Sequence, residues 1–208
     1  LVPGRYGLRV LGADLGGAST SIVTAHNGTV ARTVRSDLGL GHNLENVVAQ
    51  AGLNHLMEWL PLDLDPQAAR AHWLNHALRP ATIPATLEET LLMHAAARMA
   101  LHTAMHDSAL RADQVDLVLL SGGVLAHHSN LGALALVALD GLQPQGVFTL
   151  AIDSLGLASA FGALAAVNAD AAASLLEHDA FVTLGTVIAP MSNARDGQVD
   201  LRVHAKMA

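Results

Sequence analysis

The chain has 208 residues, no cysteine, a formal net charge of −7 and 51% apolar residues, of which few are aromatic. That length supports one sizeable hydrophobic core with room for a small second lobe, and the acidic balance without Lys/Arg runs argues against a nucleic-acid surface. The missing thiols exclude disulfides, thiolate zinc sites and cysteine nucleophiles, while no apolar run reaches the roughly 20 residues of a membrane span.

Residues 8–34 read as a three-stranded meander. An apolar run leads into Asp14, a glycine turn follows, then Ser21-Ile22-Val23-Thr24-Ala25, the pair Asn27-Gly28, and Thr29-Val30-Ala31-Arg32-Thr33-Val34. Asn-Gly between β-prone runs is the signal of a two-residue hairpin, because both central positions take positive φ. Asp14 and Gly16 interrupt the only early apolar segment, which does not suit a signal peptide, so a cytoplasmic location is expected. A strand so near Leu1 suggests a piece of a longer polypeptide.

Helical patterns follow over 43–60 and 65–78, punctuated by Pro61, Pro66 and Pro80, and predict a helical insertion from about 42 to 84. Thr86-Leu87-Glu88-Glu89 has the form of a capping box and opens a long helix to about Leu110. Strand and helix then alternate: a strand over 115–120, a helix over 131–139, a strand over 146–152 and one small-residue helix over 155–173. Such alternation implies a mixed or parallel sheet covered by helices. Strands over 181–188 and 199–204, joined at Asp196-Gly197, predict a tail, residues 181–208, that opens a further module.

Two glycine turns carry the chemistry. In Asp14-Leu15-Gly16-Gly17-Ala18-Ser19-Thr20 the glycines let the backbone approach an anion, the amides and the Ser19 and Thr20 hydroxyls donate, and Asp14 can hold Mg²⁺ through water. An ordinary tight hairpin is the competing reading, since short glycine motifs recur without function. The second turn, Ser121-Gly122-Gly123, follows a buried strand and precedes a helix, the place where α/β sheets usually bind ligands. Asp37 could cap the next helix or face the cleft. The i, i+4 pairs His72/His76 and His102/His106 read as solvated helix faces, with metal binding the alternative, and His127-His128, in the loop after the second turn, equally as surface residues or as ligand neighbours. A Ser-His-Asp hydrolase is disfavoured at Ser121, because the nucleophile elbow needs glycine where Leu119 stands.

The order of meander with Asp14-Leu15-Gly16-Gly17, helical insertion, long helix and strand-Ser121-Gly122-Gly123 resembles the second half of the actin/Hsp70/hexokinase ATPase superfamily. Within it the chain is similar to the glutamate (methylaspartate) mutase accessory protein MutL, unrelated to the mismatch-repair protein of that name. The likeness runs through Arg32-Thr33-Val34-Arg35-Ser36-Asp37-Leu38-Gly39-Leu40, Leu142-Gln143-Pro144, Asp153-Ser154-Leu155-Gly156-Leu157 and Gly162-Ala163-Leu164-Ala165. It implies a ribonuclease-H-like nucleotide-binding half formed by residues 1–41 and 85–180, with ATP or ADP and Mg²⁺ as ligand and a cobalamin-dependent mutase as partner. Gly16, Gly17, Ser19 and Thr20 would then hold phosphates, with Asp14 on the Mg²⁺ side and Ser121, Gly122 and Gly123 beneath the adenosine.

Departures qualify that implication. Ser21 stands where the family has Asp, and Arg35-Ser36 replace Glu-Gly, which weakens a claim to metal-assisted hydrolysis. The superfamily's first phosphate loop, Asp-x-Gly-Ser/Thr in an N-terminal half, is absent from these 208 residues, so the chain alone is expected neither to bind ATP tightly nor to hydrolyse it. Two other readings remain: a non-catalytic actin-like scaffold module, and half of a sugar or acid kinase.

Overall fold

The computed structural model describes residues 7–108, 114–126, 130–177, 180–190 and 198. Its frame is the predicted meander: β1 (Val10–Leu15), β2 (Thr20–His26) and β3 (Thr29–Arg35) pair antiparallel in sequence order. Alternation sets the faces, with Leu11, Ala13 and Leu15 buried on one side of β1 while Asp14 points away. Asn27 and Gly28 both have positive φ, 45° and 79°, as the hairpin requires.

After the meander come α1 (Leu44–Ala51), α2 (Leu53–Glu58) and α3 (Pro66–Leu78). The helix expected over 43–60 is two helices, because Gly52 takes φ 80° and interrupts the ladder. Asp65 caps α3 by accepting from the Ala68 N–H at 3.0 Å, and Pro66 occupies the first turn, where its missing N–H does no harm. Trp73 is fully buried and its indole N–H donates to Leu92 O at 2.9 Å, tying α3 to α4 (Leu87–Asp107). The capping box is present as predicted, with Thr86 and Glu89 each accepting from the other's N–H.

Helix α4 is the spine of the core. Ala95, Ala96, Ala97, Ala100 and Ala104 are all buried, so small side chains let it lie close to its neighbours. One neighbour is α6 (Leu131–Leu142), where a Cβ at Gly141 would sit 2.7 Å from Leu101 Cβ. Helices α1, α2 and α3 share the same continuous core as the sheet, through Leu44, Val47, Leu56 and Trp73.

The remaining strands, β4 (Leu117–Ser121), β5 (Gly146–Ile152) and β6 (Val182–Ala189), complete a six-stranded mixed sheet of order β3-β2-β1-β4-β5-β6. β1, β4 and β5 run parallel, and β6 returns antiparallel to β5. Residues 182–189 of the tail therefore belong to this sheet, and the strand expected over 199–204 lies outside the described residues. The single helix expected over 155–173 is split at Asn168 into α7 (Ala158–Val167) and α8 (Ala169–Glu177), because the Asn168 side chain accepts from the Ala171 N–H at 3.0 Å and starts a new helix. Among the described residues no helix is long and apolar enough to cross a membrane.

Candidate functional site

The parallel pairing of β1 with β4 places Asp14 directly beside Ser121, so the two glycine turns emerge together at the carboxyl ends of adjacent strands. Their contact is intimate. Gly122 takes φ 102°, and a Cβ there would fall 2.2 Å from Leu15 O and 2.7 Å from Asp14 Oδ1. Only glycine fits, for both backbone conformation and space.

The first turn, residues 16–19, closes through the Gly16 N–H donating to Ser19 O at 2.9 Å. It rests on the segment after β3: the Leu40 and Gly41 N–H groups donate to Gly16 O at 3.0 Å and Gly17 O at 2.7 Å. Thr20 is fully buried and its hydroxyl donates to Leu38 O, so this predicted phosphate-binding hydroxyl is engaged inside the fold. Asn43 adds two clamps at 2.8 Å, donating to Ala18 O and Ser36 O. Ser19 has no side-chain partner among the described residues.

The steric demand for glycine sits opposite this turn. A Cβ at Gly39 would come within 2.4 Å of Gly17 O and Ala18 C, and one at Gly41 within 2.7 Å of Gly17 O. Gly17 itself has no positive φ, and a Cβ there would meet nothing closer than Gly41 Cα at 3.9 Å.

Asp14 has no hydrogen bond or ion pair among the described residues. Although partly open to water, its carboxylate is penalised by burial and, secondarily, by the charge of Asp153, which together raise its pKa above the ordinary 3.8. Asp153 is fully buried at the end of β5. It accepts from the Leu157 and Ala158 N–H groups, both at 2.8 Å, and from the Ser121 hydroxyl at 3.3 Å. Ser121 is thus oriented by Asp153, a residue whose role sequence reasoning missed even though it lies within a family-like segment. The helix expected after Gly122-Gly123 is a single turn, α5 (Gly123–Ala126).

A cavity of about 650 Å³ opens between the two turns and helices α3 and α4. Gly17 and Ala18 form one wall, Gly123 and Val124 another, and Leu40–Asn43, the end of α3, residues 80–84 and α4 close the rest.

Two expectations are corrected. Asp37 neither caps a helix nor lines the cavity: Arg35 donates to both its oxygens at 2.9 and 2.7 Å, Gln50 donates at 2.9 Å, and Asn43 holds the cap position of α1. These donors hold the Asp37 pKa far below the carboxylate range. Arg35 also bonds Asp107 on α4, which gives a structural role to the departure at this position. The pair His72/His76 is not a solvated face. His72 Nε2 is buried without a partner among the described residues, and His76 lines the cavity with its pKa lowered by burial and then by His72. His102 and His106 stack at 6.3 Å with His106 exposed, in keeping with a surface pair. No group of three or more metal-capable side chains occurs among the described residues, and His127-His128 lie outside them.

Fold and site together define a mixed α/β protein whose two glycine turns meet at the carboxyl ends of adjacent parallel strands, above a cavity that both help to line. The model of the family described as MutL protein matches residues 4–180, and the chain belongs to that family. No curated protein matches it.

Proposed function

We propose that the chain is the nucleotide-binding half of a MutL-type accessory ATPase with a ribonuclease-H-like, actin/Hsp70-type core, serving a cobalamin-dependent mutase as chaperone or reactivator. The observation that carries this reading is the shared cavity, bounded by Gly17 and Ala18 on one side and Gly123 and Val124 on the other. Ligands of α/β sheets bind beyond the carboxyl ends of strands, and glycine turns there bring backbone amides to phosphate.

Three further features support it. A meander followed by parallel β4 and β5 is the strand order a ribonuclease-H-like core requires. Gly17 lines the cavity and is glycine without any demand from the folded chain, as close approach of a ligand to the backbone would require. Helix α7 carries no charge and buries no side chain among the described residues, as a face covered by a second half would. Asp14, unpartnered, would hold Mg²⁺ through water, and the ion would neutralise phosphate charge there. Phosphates would lie over Gly16, Gly17 and Ser19, with the adenosine above Gly122 and Gly123.

A non-catalytic actin-like module is the second reading. What favours it is that the Gly16 N–H and the Thr20 hydroxyl, both candidate phosphate donors, already bond Ser19 O and Leu38 O. Calorimetric titration with ATP–Mg²⁺, in the presence of an N-terminal half bearing an Asp-x-Gly-Ser/Thr turn, separates the two. Binding and turnover that Asp14→Ala reduces are expected; absence of heat in that complex would leave the scaffold.

A further inference from the structure

His42 lies between Gly41 and α1, on the wall of the cavity, and sequence reasoning assigned it nothing. Its Nδ1 is 3.1 Å from Ala77 O. A carbonyl only accepts, so Nδ1 carries the proton, and in the neutral ring Nε2 is left as an acceptor. No described residue bonds that nitrogen. The tie to Ala77 also fixes the ring between the insertion and the segment that seats the first glycine turn.

The surroundings decide what Nε2 would meet. Among the described residues no carboxylate, ammonium or guanidinium lines the cavity, and Pro80, Ile83, Pro84 and Met93 form much of its wall. Away from the first glycine turn, whose backbone would face the phosphates in the reading above, such a space suits a flat uncharged ring. His76, lining the same cavity, is disfavoured as a charged group by its burial. Pockets of this size hold ligands of nucleoside dimensions.

Resting on the nucleotide reading above, we propose that His42 Nε2 accepts a hydrogen bond from the exocyclic amine of an adenine base and thereby selects adenine over hypoxanthine nucleotides. Replacing the amine with the hypoxanthine carbonyl sets an acceptor against an acceptor. One neutral hydrogen bond lost in this way corresponds to about a three- to tenfold weaker affinity.

The test compares ADP with IDP by ligand-observed NMR, which registers weak binding, on the chain together with an N-terminal half bearing an Asp-x-Gly-Ser/Thr turn, at pH 8, where imidazole is ordinarily neutral. Two variants divide the roles of the ring. His42→Asn keeps a donor in reach of Ala77 O and removes the distal acceptor; His42→Gln keeps a distal acceptor and loses the tie. The native protein is expected to prefer ADP by that factor, His42→Asn to bind both alike with an unchanged thermal midpoint, and His42→Gln to retain part of the preference. Equal binding of ADP and IDP by the native protein, or a preference that survives in His42→Asn, overturns the role of His42 and leaves the nucleotide reading standing. Failure of both nucleotides to bind overturns the two together.

Discussion

The two glycine turns look alike in sequence and differ in what compels them. Gly122 is forced from within, since φ 102° and the 2.2 Å approach of its would-be Cβ to Leu15 O exclude any other residue whatever the protein binds. Gly17 has neither a positive φ nor a neighbour inside 3.9 Å, so nothing in the folded chain requires it. A glycine that packing demands reports architecture, whereas one that packing does not demand points toward something that approaches from outside. The second turn anchors the site and the first faces what enters it.

Three substitutions would break or sharpen this contrast. Gly122→Ala is expected to have the largest effect, a loss of about 3 kcal/mol or more, because it combines backbone strain with a clash against backbone that cannot move away. Urea unfolding measures it, and a loss below about 1 kcal/mol would mean that the turn rearranges freely.

Asp14→Asn comes next and is read through pH. The folded pKa of Asp14 lies above 3.8, so the protonated form is favoured in the folded state. Its stabilising contribution is therefore full below pH 3.8 and disappears as pH rises through the raised value. The variant should accordingly be more stable than the native protein at pH 7, with the difference shrinking as the pH falls toward 3.8. A variant less stable at pH 7 would show that the carboxylate has a stabilising partner.

The smallest effect on folding is expected from Gly17→Ala, within about 0.5–1 kcal/mol and of either sign, since a compatible glycine-to-alanine change mainly restricts the unfolded chain. In the presence of the N-terminal half the same variant should weaken ADP binding measurably. Unfolding midpoints and nucleotide titration of one preparation would reveal whether the two effects separate.

Much of the frame was legible because its signals are local. Asn27-Gly28 specified a hairpin through its own dihedral preferences, and Thr86 with Glu89 announced the start of α4 by reciprocal capping. Two helix breaks were missed for a related reason. Gly52 and Asn168 are compatible with a continuing helix in composition, and only the positive φ of one and the capping bond of the other end it. Helical periodicity made His72 and His76 neighbours but could not say what would cover them.

The site divides along the same line. The amino-acid sequence by itself determined where the glycine turns fall, that Asp14 ends a strand, and that Arg32 to Leu40 belongs to the MutL family, all of which depend on residues close in the chain. Only the tertiary structure decided that Asp14 meets Gly122, that Asp153 orients Ser121, and that Arg35 holds Asp37 against α4. The first two exist because parallel pairing of β1 with β4, and of β4 with β5, aligns strand ends that the chain itself keeps distant, and the third because the end of β3 meets the end of α4.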